Sequence, residues 1–432
     1  MLFLLELVFL LFASLSLILT KKDYLSPTFL LASAFSVCNV FAILGNQSWM
    51  VDIPATIITL FICIFFFILM GELSVFRFNY SSQKILILNP HSLAGNNSIF
   101  FVFVFVVIQI IILYLYYSRL IAMATVVGFS GEDLPMYVRV ATINYGLHVG
   151  VGYAISVPAL SAGSLIYFFL FAKKVILEEN KSIKNFVFLV PLLVSCGAST
   201  LAGARSGFIE NAFVAFFMVV YFFKMKDNKN KATKILLVSL ITFVVLMAIF
   251  LLLGTLTKKV NEENYLRTLY VYGGSSIVAF GSWLDKFDFF NISFFNGVLG
   301  AESFSGIRNT LNRFFPFVES SNPFLEFISF DGGSSTNIYT GFRAYIADFG
   351  LYGLPLICFA FGLSFSFFYE FLKKNTTPLN LIVYAYFLKT FVYLVFAPSV
   401  TSALLTPSQF FWLMWVIVLG FLIVGKSFNK PL

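Results

Sequence analysis

Runs of about twenty apolar residues, broken by short polar segments, recur from one end of the chain to the other. Each run is close to the ~20 residues that an α-helix needs to cross ~30 Å of hydrocarbon. The pattern predicts about eleven spans, near 2–20, 27–45, 53–72, 99–117, 149–172, 186–204, 207–223, 235–256, 347–371, 379–398 and 408–425. The expected fold is an all-α polytopic membrane protein, a single integral membrane domain over 1–432 with no soluble catalytic domain attached. The first span has Glu6 inside it, no basic segment before it and no small-residue cleavage site ahead of Lys21, so it reads as a retained helix. Two polar segments are long enough to hold chemistry, Ser118 to His148 and the stretch 257–346. Tyr265, Tyr270, Tyr272, Trp283, Phe314, Phe315 and Phe317 are spread through the second, which predicts short helices folded on the outer surface of the bundle.

Composition narrows the class further. A hydrophobic fraction of 59% with 11% charged residues excludes an ordinary soluble protein. The net charge of +8 does not point to nucleic acid, because most of it sits in loops that set orientation. Cys38, Cys63, Cys196 and Cys358 fall within spans and read as small packing residues. Placing the lysine-rich loops 173–184 and 224–234 inside puts the N-terminus outside and the C-terminus inside. Lys21, Lys22, Lys373 and Lys374 then fall inside too. Arginine departs from this rule. Arg119, Arg139, Arg205, Arg267, Arg308, Arg313 and Arg343 map to the outer side, and Arg77 alone stays with the lysines. A guanidinium is permanently charged and grips phosphate or carboxylate with paired donors, so an outward set of arginines suggests an anion site.

The densest polar run is Thr336-Asn337-Ile338-Tyr339-Thr340-Gly341-Phe342-Arg343, which leads through Tyr345 to Asp348 at the start of the ninth span. A helix beginning at Tyr339 would put Tyr339 and Arg343 on one face, while an Arg343–Asp348 pair is not favoured by the spacing. An aromatic belt with a helix-end charge is the plainer alternative. Arg205 and Glu210 flank a tight hairpin that follows the small-residue run Gly197–Ala204; a structural pair explains them equally well. Arg308 and Arg313 read either as anion ligands or as a solvated face. His148, near Arg139, is the easiest general base on that side, although such a histidine is more often an interfacial hydrogen-bonding residue. Lys389 lies in the middle of the tenth span, where it needs an interior carboxylate such as Glu6 or Glu72, or a lipid phosphate.

The chain has no phosphate-binding loop, no zinc-spaced His/Cys pair and no Asp-x-Asp motif, so neither a metal nor another cofactor is expected. Gly203-Ala204-Arg205-Ser206, together with Thr336-Asn337-Ile338-Tyr339-Thr340 and Tyr345-Ile346-Ala347-Asp348-Phe349-Gly350-Leu351-Tyr352-Gly353, resembles the Wzy-type polymerases of bacterial O-antigen and capsular polysaccharide. Some members carry Arg-x10-Gly and Arg-x15-Gly patterns in paired outer loops; Arg139 and Gly150 match the first, and no arginine of the long loop matches the second.

The resemblance implies a GT-C-like glycosyltransferase in the bacterial inner membrane. It would join undecaprenyl-pyrophosphate-linked oligosaccharide units at the outer face, with a flippase and a chain-length regulator as partners and membrane lipid around it. Arg205, Arg308 and Arg343 would clamp the pyrophosphate, assisted by Arg139, Arg313 and Lys389. Tyr339 and the loop aromatics would stack on sugar faces, Asn337 would also bind substrate, and His148, Glu210 or Asp348 would take the acceptor's proton. An O-antigen ligase and a lipid-linked oligosaccharide flippase are the rival readings.

Overall fold

The computed structural model describes residues 1–78, 99–131, 134–145, 147, 150–180, 182–201, 205–226, 265–286, 300–315, 325–330, 334–425 and 428. Nine helices among these residues are long and apolar enough to cross a membrane. The chain is therefore an all-α multi-pass membrane protein. It divides into two compact units, one of Met1–Ile85, Asn264–Lys374 and Phe387–Pro407, the other of Leu86–Glu263, Asn375–Tyr386 and Ser408–Leu432.

In the first unit, α1 (Leu2–Leu19), α2 (Pro27–Trp49) and α3 (Thr56–Phe78) lead off. Ser26 caps α2 by accepting from the Phe29 amide, with Pro27 in the first turn, and Met50 ends the helix in the left-handed region at φ 47. The helices meet on phenylalanine. Phe9, Phe35, Phe61 and Phe65 are fully buried, and their rings touch at centroid distances of 5.2–5.6 Å in mostly edge-on pairs. Glu6 of α1 is bonded to Ser36 and Asn39 of α2, and Asn39 also donates to the Leu2 carbonyl at 2.9 Å.

Next in this unit come α9 (Tyr265–Lys286) and α10 (Ser305–Phe314), then the hairpin of β1 (Ile328–Phe330) and β2 (Ser334–Thr336) and the long α11 (Phe342–Lys374). Among the described residues of 257–346, α10 is short as expected, whereas α9 and the hairpin differ from the expected row of short surface helices. Helix α9 packs along α2, because Gly273 and Gly274 bring its backbone against Phe41 and Ala42, where a Cβ on Gly274 would sit 2.2 Å from the Ala42 nitrogen. The helix was not legible as a packed element because its polar Gly-Gly-Ser-Ser centre breaks the apolar run.

Helices α3 and α11 also touch backbone to backbone. A Cβ on Gly71 would fall 2.3 Å from the Phe359 carbonyl oxygen, and one on Gly362 would fall 2.0 Å from that of Ile68. Gly362→Ala is expected to force the pair apart and to cost about 1–3 kcal/mol, read as a lower unfolding midpoint in detergent.

Two breaks in regular helix occur in this unit. Helix α11 is interrupted at Gly350, whose φ of 65 and ψ of −176 suit glycine alone. Helix α12 (Pro378–Val392) gives way to a 3₁₀ turn at Tyr393–Val395 and to the one-turn α13 (Ser399–Ser402). At the second break the freed Leu394 carbonyl is satisfied inside protein, as membrane structures require. The Gly341 amide donates to the Leu394 carbonyl at 2.7 Å, and Tyr345 and Thr401 hydroxyls pair at 3.0 Å.

The ends of the first unit differ in charge. The turn carrying Lys21 and Lys22 is held to the far end of α11, where Tyr369 donates to Asp23 at 2.9 Å and Lys373 lies 3.7 Å from the same carboxylate. Lys373 also rests over the Phe76 ring of α3 at 4.7 Å. Arg343 sits at the other end of α11.

The second unit contains α4 (Ile99–Thr125), α5 (Leu134–Tyr145), α6 (Val151–Ala172), α7 (Val190–Leu201), α8 (Arg205–Met225) and α14 (Pro407–Val424). The predicted span 186–204 appears as a 3₁₀ segment, Ile183–Leu189, running into α7. The looser rise of the 3₁₀ segment lets the two reach about 32 Å. Gln109 of α4 ties α6 to α7 by donating to Ser164 at 3.1 Å and to the Pro191 carbonyl at 3.0 Å. The predicted span 235–256 lies outside the described residues. Cys38, Cys196 and Cys358 are buried free thiols and Cys63 is half-buried.

Candidate functional site

At the arginine end of the first unit, five segments meet around one guanidinium. Arg343 is 5% exposed and enters just after α11 begins. Its Nη1 donates to Glu302 at 3.0 Å, and its Nη2 reaches both oxygens of Glu326 at 3.0 and 2.9 Å. The plane of the group lies over Tyr339 at 4.5 Å and over Trp283 of α9 at 5.2 Å. Only arginine can stack on rings and fork to two carboxylates at once.

Tyr339 differs from expectation in two ways. It precedes the helix rather than sharing it, because α11 starts at Phe342. Its ring is 2% exposed, so it lies under Arg343 and is not offered to a sugar. Its hydroxyl donates to the Glu326 carbonyl at 3.1 Å. Burial and the Glu326 carboxylate push its pKa up to about 12, against the opposing pull of Arg343, so it remains a donor.

Asp348 does not pair with Arg343. Its carboxylate accepts the Glu302 amide at 3.2 Å and the Ser303 amide at 2.6 Å, as well as the Ser303 hydroxyl. Ser303 is fully buried, and its carbonyl accepts from Thr401. Asp348 thus fixes the turn that carries Glu302 and leads into α10, where Gly306 lies against the Ser402 carbonyl. With its lone pairs so engaged, Asp348 is a positioning residue and not a free base. Asp348→Ala is expected to cost about 3 kcal/mol, from the loss of an acceptor for three donors. Asp348→Asn should lose less, since one oxygen still accepts; the unfolding midpoints of the two variants check the order.

Glu302 and Glu326 were missed by sequence reading, and Trp283 was singled out there only as one of the aromatic residues of the 257–346 stretch. Glu302 is the group best suited to proton transfer. Its side chain is 28% exposed, so one side of the carboxylate is open while the other meets Arg343. Burial raises its pKa above the usual carboxylate range; Arg343 opposes this, and Asp348 and Glu326 add to it. Glu326 is more exposed, at 54%. Two carboxylates to one guanidinium leave the cluster acidic, so a pyrophosphate approaching Arg343 would first meet Glu302 and Glu326. The expected role of Arg343 as a phosphate clamp does not fit this arrangement.

The other expected residues are scattered. Arg308 is 9% exposed on α10, one turn beyond the Asp348-held segment, and Arg313 lies on the same helix. Asn337 is half-buried just past β2. Lys389 is 8% exposed on α12, while Glu6 is engaged by α2 and Glu72 by Ser16. Arg139 on α5, Arg205 at the start of α8 and a half-buried Glu210 belong to the second unit, and His148 lies outside the described residues. The second unit has a cavity of about 300 Å³, lined among the described residues by Tyr116, Tyr153, Pro158, Ser161, Tyr386 and Trp412 with three smaller neighbours, none of them charged. Comparison with protein-family models, curated proteins and solved structures finds no match for this chain.

Proposed function

We propose that the protein is a membrane glycosyltransferase that lengthens a polysaccharide from polyprenyl-pyrophosphate-linked units at the outer face of a bacterial inner membrane. The observation that carries this reading is the Glu302–Arg343–Glu326 cluster, set over Trp283 and Tyr339 and braced by Asp348. The orientation rests on the separation of ends, with Lys21, Lys22, Lys373 and Lys374 marking the inner side.

Glycosyl transfer needs a base for the acceptor hydroxyl and negative charge near an anomeric carbon that becomes positive in the transition state. Glu302 takes the proton, the freed oxygen bonds to the anomeric carbon, and the bond to the pyrophosphate oxygen breaks with its electron pair leaving on the phosphate. Glu326 and the ionised cluster favour the positive sugar. Arg343 holds both carboxylates in place, and Arg308 is the guanidinium of this unit assigned to the leaving group. The uncharged, ring-lined cavity of the second unit suits a sugar face or an isoprenoid chain better than a phosphate.

The test is the length profile of surface and lipid-linked glycan in a strain lacking the gene. Surface glycan limited to one repeat unit supports the reading. Full-length polymer left on the lipid carrier at the outer face would make the protein a ligase. Single units trapped at the inner face would make it a flippase.

A further inference from the structure

At the lysine end of the first unit, α1, α2 and α3 bring together oxygen-bearing side chains that the glycosyl-transfer reading does not use. Glu72 of α3 is fully buried, as are Ser16, Ser26 and Thr28. The Ser16 hydroxyl donates to Glu72 Oε2 at 3.4 Å and shares a 2.7 Å hydrogen bond with Ser26 Oγ. Thr28, at the start of α2, lies near the same carboxyl. Glu72 Oε1 and Thr28 Oγ1 are nonetheless buried without a hydrogen-bond partner.

No ion pair among the described residues includes Glu72. Lys373 of α11 is engaged by Asp23 and Glu370. Asp23, in the turn between α1 and α2, is close enough to repel Glu72 and is itself bonded to Tyr369 and to the Leu25 amide. The start of α2 contributes at most about half a positive charge. An ionised carboxylate in this setting costs several kcal/mol unless something positive joins it.

The site's own chemistry selects the ligand. One carboxylate among neutral hydroxyl oxygens is a hard, singly negative site. Divalent calcium takes six to eight oxygens and usually more than one carboxylate, and magnesium keeps much of its water, so neither suits a fully buried group of one carboxylate and three hydroxyls. An anion would be repelled by Glu72 and Asp23.

We propose that Glu72, with Ser16, Ser26 and Thr28, forms a buried site for one monovalent cation, either a proton or a sodium ion. Its occupant neutralises the seam where α1, α2 and α3 meet, so the packing of the first unit depends on a small cation from the lysine side. This site stands independently of the glycosyl-transfer reading and could fail or survive without it.

The test is infrared spectroscopy of the full-length protein in lipid nanodiscs, as the difference between wild type and Glu72→Gln. In choline chloride buffer at neutral pH the expected result is the carbonyl stretch of a protonated carboxylic acid, lost in the variant. Persistence of that band when sodium chloride replaces choline chloride identifies the occupant as a proton. Saturable replacement of it by a carboxylate band identifies sodium. A carboxylate band already present in choline and indifferent to sodium overturns the proposal. Should Glu72→Gln not fold, Ser16→Ala decides the same question: the acid band must shift on losing its hydroxyl neighbour, and an unshifted spectrum overturns the site.

Discussion

Arg343→Lys is expected to abolish polymer while leaving a folded protein, and Arg343→Ala to abolish polymer and stability together. A lysine at 343 keeps the charge but reaches one carboxylate, where the guanidinium forks to Glu302 and Glu326. It also loses the flat group that lies over the Tyr339 and Trp283 rings. Each charge-assisted bond contributes roughly 1.5–3 kcal/mol, and the exposure of Glu326 at 54% puts its share at the low end. The lysine variant should therefore lose about 2 kcal/mol, and the alanine variant about 4 kcal/mol, because alanine leaves two carboxylates facing each other over a void. Adding Glu302→Gln and Glu326→Gln to Arg343→Ala should restore much of the stability and none of the polymer, since the unpaired charges are gone but so is the base. The checks are unfolding midpoints of purified variants and the glycan ladder of a complemented deletion strain. A full ladder from Arg343→Lys would show that the forked geometry is not needed.

Glu302→Gln should lower the transfer rate by about 10²–10⁴ without unfolding the protein. Glutamine still accepts from Arg343 but cannot take a proton. Its effect on stability has a defined sign. Burial raises the Glu302 pKa in the folded state, so ionising it there opposes folding. The contribution of this residue is most favourable below the usual carboxylate value, and it is lost as pH rises through the raised folded value. The glutamine variant should lack that pH-dependent loss, so its stability should change less than that of wild type as pH rises through this window. In the wild type the acid limb of the rate profile should lie above the ordinary carboxylate range, because the base must be ionised to work. A Glu302→Gln protein with an unchanged limb would move the base elsewhere, and Glu326 would be tested next.

Most membrane spans were legible because a twenty-residue apolar run has few other uses. That Arg343 and Asp348 would be partnered was legible for the same reason, since a charge at the edge of such a run needs a partner. Their partners were not. Glu302 and Glu326 come from a polar stretch with no helical period, and Trp283 from a helix whose glycines and serines hide its packing. Periodicity reports which face a residue occupies, but not which loop folds across it. The same limit explains Tyr339: its distance along the chain suggested a shared helix face, whereas the Arg343 amide bonds to the Thr340 carbonyl in a turn that sets Tyr339 beneath the guanidinium.

The break at Gly350 separates two mechanical tasks. Residues before it carry Arg343 and Asp348, while residues after it form the lipid-crossing length of α11. A helix that meets a thinner or thicker bilayer tilts to match it. A swivel at a glycine lets the lower length tilt while the upper turn stays clamped by Ser303, Leu394 and Thr401. The acidic cluster is therefore decoupled from the tilt that the surrounding lipid imposes on the rest of the helix.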